Sequence, residues 1–371
     1  MLAIDCYMTA DAIQAMIQVT HPTYIPTDDH TTGLSIATIL LVAACVVLLR
    51  NHLPIYEAVF SICHYFCFVP ILVALFIMAP KRSAREVFIE FTDFGGGWPS
   101  LSFSVLVGQV PNVYVAMSSA AILHEPCATE RDDTRPGSGF AWRYLTDAGV
   151  TTLMAILYCF SIVSIPDALT YRSPFVQVFH TAFKDPGPTL AFSMVVLGLL
   201  YMIAVSTIAS AAEQISNLAD QTTLPSRARI WLKLSPTHLA VFTSVLLTIL
   251  FSFLQLLTPS AFDSILSLAI ISQMFIVVLA IATRTHGRSN NPTRPMSGWR
   301  TLIANGAALL YAAWAIFWAF WPSTYKPSAS EVNWGGVFFM VLLLVGAGLR
   351  HWTAKPTHQE PVKKGASGQQ Q

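Results

Sequence analysis

Gly108, Pro111, Asn112, Tyr114, Ser118 and Ser119 fall in the stretch VGQVPNVYVAMSS, inside an apolar run that follows FGGGWP. Their types and spacing suit the binding of a small polar molecule. Pro111 has no amide hydrogen for the carbonyl of residue 107, and its ring crowds that carbonyl. Gly108 weakens the same turn. A helix broken here frees carbonyls and half-helix ends. At mid-membrane such groups are tolerated only against protein or a polar cavity, where they take ions and polar ligands. Asn112 stands beside the break, and Tyr114, Ser118 and Ser119 follow it with hydroxyls. The other reading is a Pro-kinked packing helix in which Gly108 admits a close neighbour.

The remaining reactive side chains suggest no catalysis. The sequence has no HExxH, no phosphate-binding loop and no dinucleotide fingerprint, and its Ser, His and Asp residues have no triad-like spacing. No enzyme activity and no cofactor are expected. The one cysteine cluster, CHYFC, puts Cys63 and Cys67 on one helix face beside His64. A zinc site needs more ligands at convergent spacing, so no metal is expected and the thiols read as small apolar groups at a helix contact. His64 reads as a hydrogen-bonded packing residue, and Glu57 as a helix-end residue near the membrane surface. Asp5 and Asp11 are expensive in lipid unless they face a bundle; they also fit a poorly inserted first segment.

The elements that must position these residues are membrane helices. The 371-residue chain is 54% apolar and 11% charged, whereas soluble chains carry about 25% charged residues. Runs of roughly 20 uncharged residues match a hydrocarbon core ~30 Å thick. The fold class is an all-α polytopic membrane protein with about ten transmembrane helices. They are expected at about 1–20, 32–50, 55–79, 101–122, 145–166, 189–212, 236–257, 261–283, 300–321 and 333–352. The N-terminus lacks a basic region, so no cleaved signal peptide is expected. Residues 1–354 form one transmembrane domain, and 355–371 a polar, disordered cytoplasmic tail. The net charge of +1 gives no reason for a nucleic-acid partner.

Orientation follows from the 21 Lys and Arg residues. Only six (Lys81, Arg82, Arg85, Arg172, Lys184 and Lys326) fall in the odd-numbered loops. The bias puts the even-numbered loops and both termini in the cytoplasm. Trp314, Trp318, Trp321 and Trp334 then lie near the outer membrane edge, where an aromatic belt accounts for them.

Several stretches, in order, resemble fungal permeases of the amino-acid/choline/GABA type, in the amino acid–polyamine–organocation superfamily. They are IQAMIQVTHPTY (13–24), NHLPIYEAVFSICHYFCF (51–68), EVFIEFTDFGGGWPSLSFSVLVGQVPNVYV (86–115), LADQTTLP (218–225), SGWRTLIANGAALLYAAWAIFWAFWP (297–322) and SEVNWGGVFF (330–339). The resemblance implies a five-plus-five inverted-repeat transporter fold, here incomplete, with substrate at the midplane where the first and sixth spans of the family unwind. It makes Gly108, Pro111, Asn112, Tyr114, Ser118 and Ser119 the expected substrate-binding residues. It implies a small amino acid or amine (GABA, choline) as substrate and a proton or other cation as the coupling ion. The location is a plasma or vacuolar membrane.

The sequence departs from that family in three ways. Its first segment aligns with the third span, so two spans are expected to be missing. Met117 stands where a glycine is expected and Ser119 where an acid is, with only His124 and Glu125 resembling the acidic end. Glu213 replaces a motif arginine, and Asp220 is displaced by one residue. Two functions stay open: an alternating-access secondary transporter, and a transport-inactive truncated permease paralogue that shows no uptake of its own. With one half-site missing and Met117 and Ser119 altering the other, the chain expressed alone is expected to show no measurable uptake of amino acids or choline.

Overall fold

The computed structural model describes residues 1–49, 52–90, 97–114, 138–221, 236–257, 260–289 and 299–353. Among these every regular element is a helix. The helices are α1 (Leu2–Thr20), α2 (Asp28–Leu48), α3 (Leu53–Met78), α4 (Ala84–Phe88), α5 (Leu101–Val107), α6 (Ser138–Ser161), α7 (Ile165–Ala168), α8 (Pro174–Phe183), α9 (Pro186–Gln221), α10 (Pro236–Leu257), α11 (Ala261–Ser289), α12 (Trp299–Ala319) and α13 (Gly335–Thr353). All ten expected segments contain a helix, with shifted ends: α6 starts before 145, and α9 continues well past 212 to Gln221. Among the described residues five helices are long and apolar enough to cross a membrane, within α2, α3, α9, α11 and α12.

The least apolar segment is the most enclosed. Helix α1 packs against α2, α8, α9, α10 and α11, and Ala3, Cys6, Ala10, Ala12 and Ala15 along it are buried. Small side chains let neighbouring backbones approach closely. Asp5, Thr9 and Gln14 are buried on the same helix, which places its polar residues toward the bundle rather than toward lipid.

Two apolar clusters flank α1. One joins Ile4 to Val107, Val110, Val113 and Tyr114, to Ile270 and Ile271 of α11, and to Ala315 and Trp318 of α12. The other joins Leu2 and Cys6 to Ile39 and Val42 of α2, Val205 and Ile208 of α9, and Ala240 of α10. The outer faces remain apolar and uncovered, with Phe66 of α3, Leu310 of α12 and Leu344 of α13 all exposed, as lipid-facing surfaces require.

Local chemistry sets the helix ends. Thr27 Oγ1 accepts from the His30 amide, and Asp28 and Asp29 occupy the first turn of α2, where a side-chain acceptor and negative charge are favourable. Helix α8 lies in a connection read from sequence as plain loop. Pro174 opens it, and Lys184 closes it in the left-handed region at φ 57°. It buries Val176, Val178, Phe179 and Ala182, partly against Ile71 and Leu75 of α3 and Leu157 of α6.

Candidate functional site: the broken helix and a buried carboxylate

Helix α5 ends at Val107, residues 108–109 form a turn, and helical backbone resumes over 110–114. The Gly108 amide donates to the Ser104 carbonyl at 2.9 Å, the last regular bond of α5. The Gln109 amide turns tighter, to Leu106 O at 3.3 Å, and the ladder restarts with Val113 N–H to Gln109 O at 3.1 Å. Pro111 gives the Val107 carbonyl no donor. A Cβ built on Gly108 would meet only Ser104 O at 3.3 Å and Val105 O at 3.6 Å. Both belong to its own turn, so among the described residues no neighbouring helix explains this glycine.

The joint has two faces. Val110, Val113 and Tyr114 are buried, whereas Gly108, Pro111 and Asn112 are exposed. The Asn112 amide group donates to Gln109 Oε1 at 3.0 Å. Ser118 and Ser119 lie outside the described residues, as do Met117, His124, Glu125 and the side chains of Glu57 and Asp220. Of the six residues expected to line a site, the structure therefore turns Tyr114 inward and leaves Gly108, Pro111 and Asn112 on the other face.

Tyr114 meets a residue that sequence reasoning had left undecided. Its hydroxyl donates to Asp5 Oδ1 at 3.4 Å, and Thr207 Oγ1 of α9 donates to Asp5 Oδ2 at 3.0 Å. Asp5 is 8% exposed. One carboxyl group thus joins α1, α9 and the segment just beyond the break. The signal for it was an acid in an apolar segment; its partners are 109 and 202 residues away, beyond the reach of local pattern.

A second polar cluster occupies the far end of α1. Arg172 donates through Nε to Asp11 Oδ1 at 2.8 Å, and through one terminal nitrogen to Asp28 Oδ1 at 2.6 Å and the Tyr7 hydroxyl at 3.1 Å. Its amide donates to Gln18 Oε1 at 3.0 Å. Gln14 Nε2 donates to Thr31 Oγ1 at 2.6 Å, and the Tyr24 hydroxyl to Gln14 Oε1 at 3.1 Å. Burial works against the Arg172 charge, but the hydrogen bonds and charge of Asp11 outweigh it and hold the guanidinium above its ordinary value. Arg172 is one of the six basic residues that fall outside the main bias.

The approach to α5 is fixed by aromatic rings. Phe103 lies 4.5 Å from Trp98 and 5.0 Å from both Trp318 and Trp321, between ring centroids. The Trp98 indole also donates to Ser323 O at 3.3 Å. Trp318 is buried, so Trp318 at the end of α12 and Trp321 just beyond it brace the broken span rather than serving only as a belt. Gly97, with φ 60°, supplies the left-handed turn before Trp98.

Residues 1–347 match the family described as "Amino acid permease". The chain is also similar to three uncharacterized amino-acid permeases of Schizosaccharomyces pombe. One is 25% identical over 367 residues, covering 93% of this chain. The others are 21% identical over 331 and 363 residues, covering 86% and 92% of it. The chain spans 65%, 61% and 64% of the lengths of these relatives.

Proposed function

The chain belongs to the amino acid permease family, and from that premise we propose that it is a secondary transporter working by alternating access. Its relatives point to a multi-pass membrane transporter rather than an enzyme. The cargo is a small amino acid or related amine such as GABA or choline, and a proton or other cation gradient drives it. The observation that carries this reading is the break at 108–109, where α5 stops and helical backbone resumes beyond a turn. A break of this kind places unpaired carbonyls and half-helix ends inside a bundle, ready for a polar ligand. Gly108, Pro111 and Asn112 from the exposed face of the joint and Tyr114 from its buried face, with Ser118 and Ser119, are the residues proposed for the substrate site. The basic-residue bias supports cytoplasmic termini, which a glycosylation tag after Gln371 tests: glycosylation of that tag contradicts the orientation.

The deciding experiment is uptake of radiolabelled GABA, choline and neutral amino acids in a permease-deficient yeast, normalised to protein at the membrane. The transporter reading requires saturable uptake above the empty vector for at least one of them. None at all, with the protein present in the membrane, sinks the transporter reading and favours the transport-inactive one.

A further inference from the structure

Asp5 is an acid with nothing basic bonded to it. Among the described residues the ion pairs are Arg82–Glu86, Arg85–Glu90, Arg172–Asp11 and Arg172–Asp28. The charged and titratable groups facing Asp5 are the Met1 amino group, the Cys6 thiol and the Tyr114 phenol. An ionised carboxylate held out of water needs a cation or a proton. Here two hydroxyls, from Tyr114 and Thr207, already occupy its oxygens. The site is 8% exposed, and an ammonium or metal ion needs further ligands than one carboxyl and two hydroxyls provide. A proton needs no added room, and the Met1 amino group, the one cation facing Asp5 among the described residues, makes no ion pair with it.

The distances agree. A hydroxyl bonded to an ionised carboxylate sits at roughly 2.5–2.7 Å, whereas Tyr114 and Thr207 stand at 3.4 and 3.0 Å. Thr207 also has a second acceptor for its hydroxyl hydrogen, the Ile203 carbonyl at 2.9 Å. When Asp5 gains a proton, it donates that proton to Thr207 Oγ1, and the Thr207 hydroxyl turns to Ile203. Oδ1 is then a neutral acceptor for Tyr114. When Asp5 loses the proton, both hydroxyls donate to a charged group and the Tyr114 bond strengthens. Tyr114 belongs to the segment restarted after the turn at 108–109, so the carboxyl's charge pulls on the element that the break leaves free to move.

We infer that Asp5 is the proton-binding site of this protein, and that Tyr114 passes its charge state to the joint at 108–109. The coupling role rests on the transporter reading; the proton site itself does not.

The test uses the full chain reconstituted in liposomes. Infrared titration follows the protonated-carboxyl stretch in wild type, Asp5→Asn, Tyr114→Phe and Thr207→Val. The wild type is expected to show a band that appears and disappears with pH, Asp5→Asn to lose it, and the two hydroxyl variants to keep it with a displaced midpoint. A titrating band unchanged in Asp5→Asn, or no such band in the wild type, overturns the proton site. If Asp5→Asn does not fold, midpoints identical to wild type in both Tyr114→Phe and Thr207→Val overturn it. In parallel, an acid-outside gradient should accelerate wild-type uptake of whichever of GABA, choline or alanine is carried, and should not accelerate it in Asp5→Asn. Acceleration retained in Asp5→Asn overturns the coupling role. Wild-type liposomes that take up none of the three contradict the transporter reading, and the infrared band alone then decides the proton site.

Discussion

Arg172 and Asp11 meet at 2.8 Å although 161 residues separate them in the chain, and their pair ties the connection before α8 to the central helix α1. The side chains are 26% and 15% exposed, between the surface case, where ion pairs are worth little, and the buried case, where losing one partner leaves a charge stranded. Arg172→Met is expected to destabilise the solubilised protein by about 2 kcal/mol. Asp11→Asn should cost less in the Arg172→Met background than alone, because the stranded acid is then already present. Thermal unfolding of the four proteins gives the cycle. Additive effects would mean that the pair does not couple these elements.

Gly335 lies so close to α11 that it leaves no room for a side chain. A Cβ there would lie 2.6 Å from Ser264 O and 2.7 Å from Ser267 Cβ, so α13 must start against α11 with no side chain between them. Asn333 secures the approach, donating to Ser267 Oγ at 2.8 Å and Ala319 O at 2.9 Å. Gly335→Ala is expected to cost about 1–3 kcal/mol by overpacking. Gly348→Ala, on the same helix with nothing within 4 Å, should not destabilise. Equal melting temperatures for the two variants would contradict the contact.

Much of this architecture was legible in the sequence. The apolar runs marked the ten segments because a bilayer forces continuous helices of fixed length. The break was legible because Pro111 and Gly108 act locally. Partners were not: Tyr114 and Thr207 reach Asp5 from distant spans, and the acid alone could mean either a buried site or poor insertion. Helix α8 was missed because ten residues are too few to span a membrane, and its apolar face becomes informative only when α3 and α6 are in place. The NWGG run at 333–336 carried the family resemblance, while its physical role, close contact with α11 and Phe320, needed the structure.

Helix α4 gives a pH dependence. The hydrogen bond from Arg82, and next that from Ser83, hold the Glu86 carboxyl below its ordinary value of 4.5. Ser83 Oγ in turn accepts the Glu86 amide, a capping arrangement. A carboxyl depressed in the folded state adds stability that is present above the unfolded value and lost as pH falls through the folded one. Amides of residues 84–90 should therefore be more protected in wild type than in Glu86→Gln at neutral pH. That difference should shrink below about pH 4.5 and vanish once Glu86 is protonated. Hydrogen exchange, corrected for intrinsic rates, measures it; a difference independent of pH would show that the charge is not what holds α4.

The last prediction concerns the joint itself. Pro111 sits in the first turn of the segment that resumes at 110, where a missing amide hydrogen costs little. In an unbroken helix the same proline would be interior and would cost about 3 kcal/mol relative to alanine, with Gly108 adding about 1 kcal/mol. The two residues therefore favour the broken form by disfavouring the continuous one. Gly108 has φ −64° and ψ −10°, a conformation alanine adopts without strain, and the nearest atom to an added Cβ is Ser104 O at 3.3 Å. The double variant Gly108→Ala/Pro111→Ala should thus fold, and should shift the balance toward a continuous helix by up to about 4 kcal/mol. Since about 1.4 kcal/mol is tenfold in population, even half of that shift is roughly a thirtyfold change in the ratio of the two forms. Amide exchange over 109–113 should slow in the variant, and on the transporter reading proposed above substrate uptake should fall with no loss of protein at the membrane. Slowed exchange together with undiminished uptake would remove the joint from the transport mechanism, because it would mean that a straight helix serves equally well.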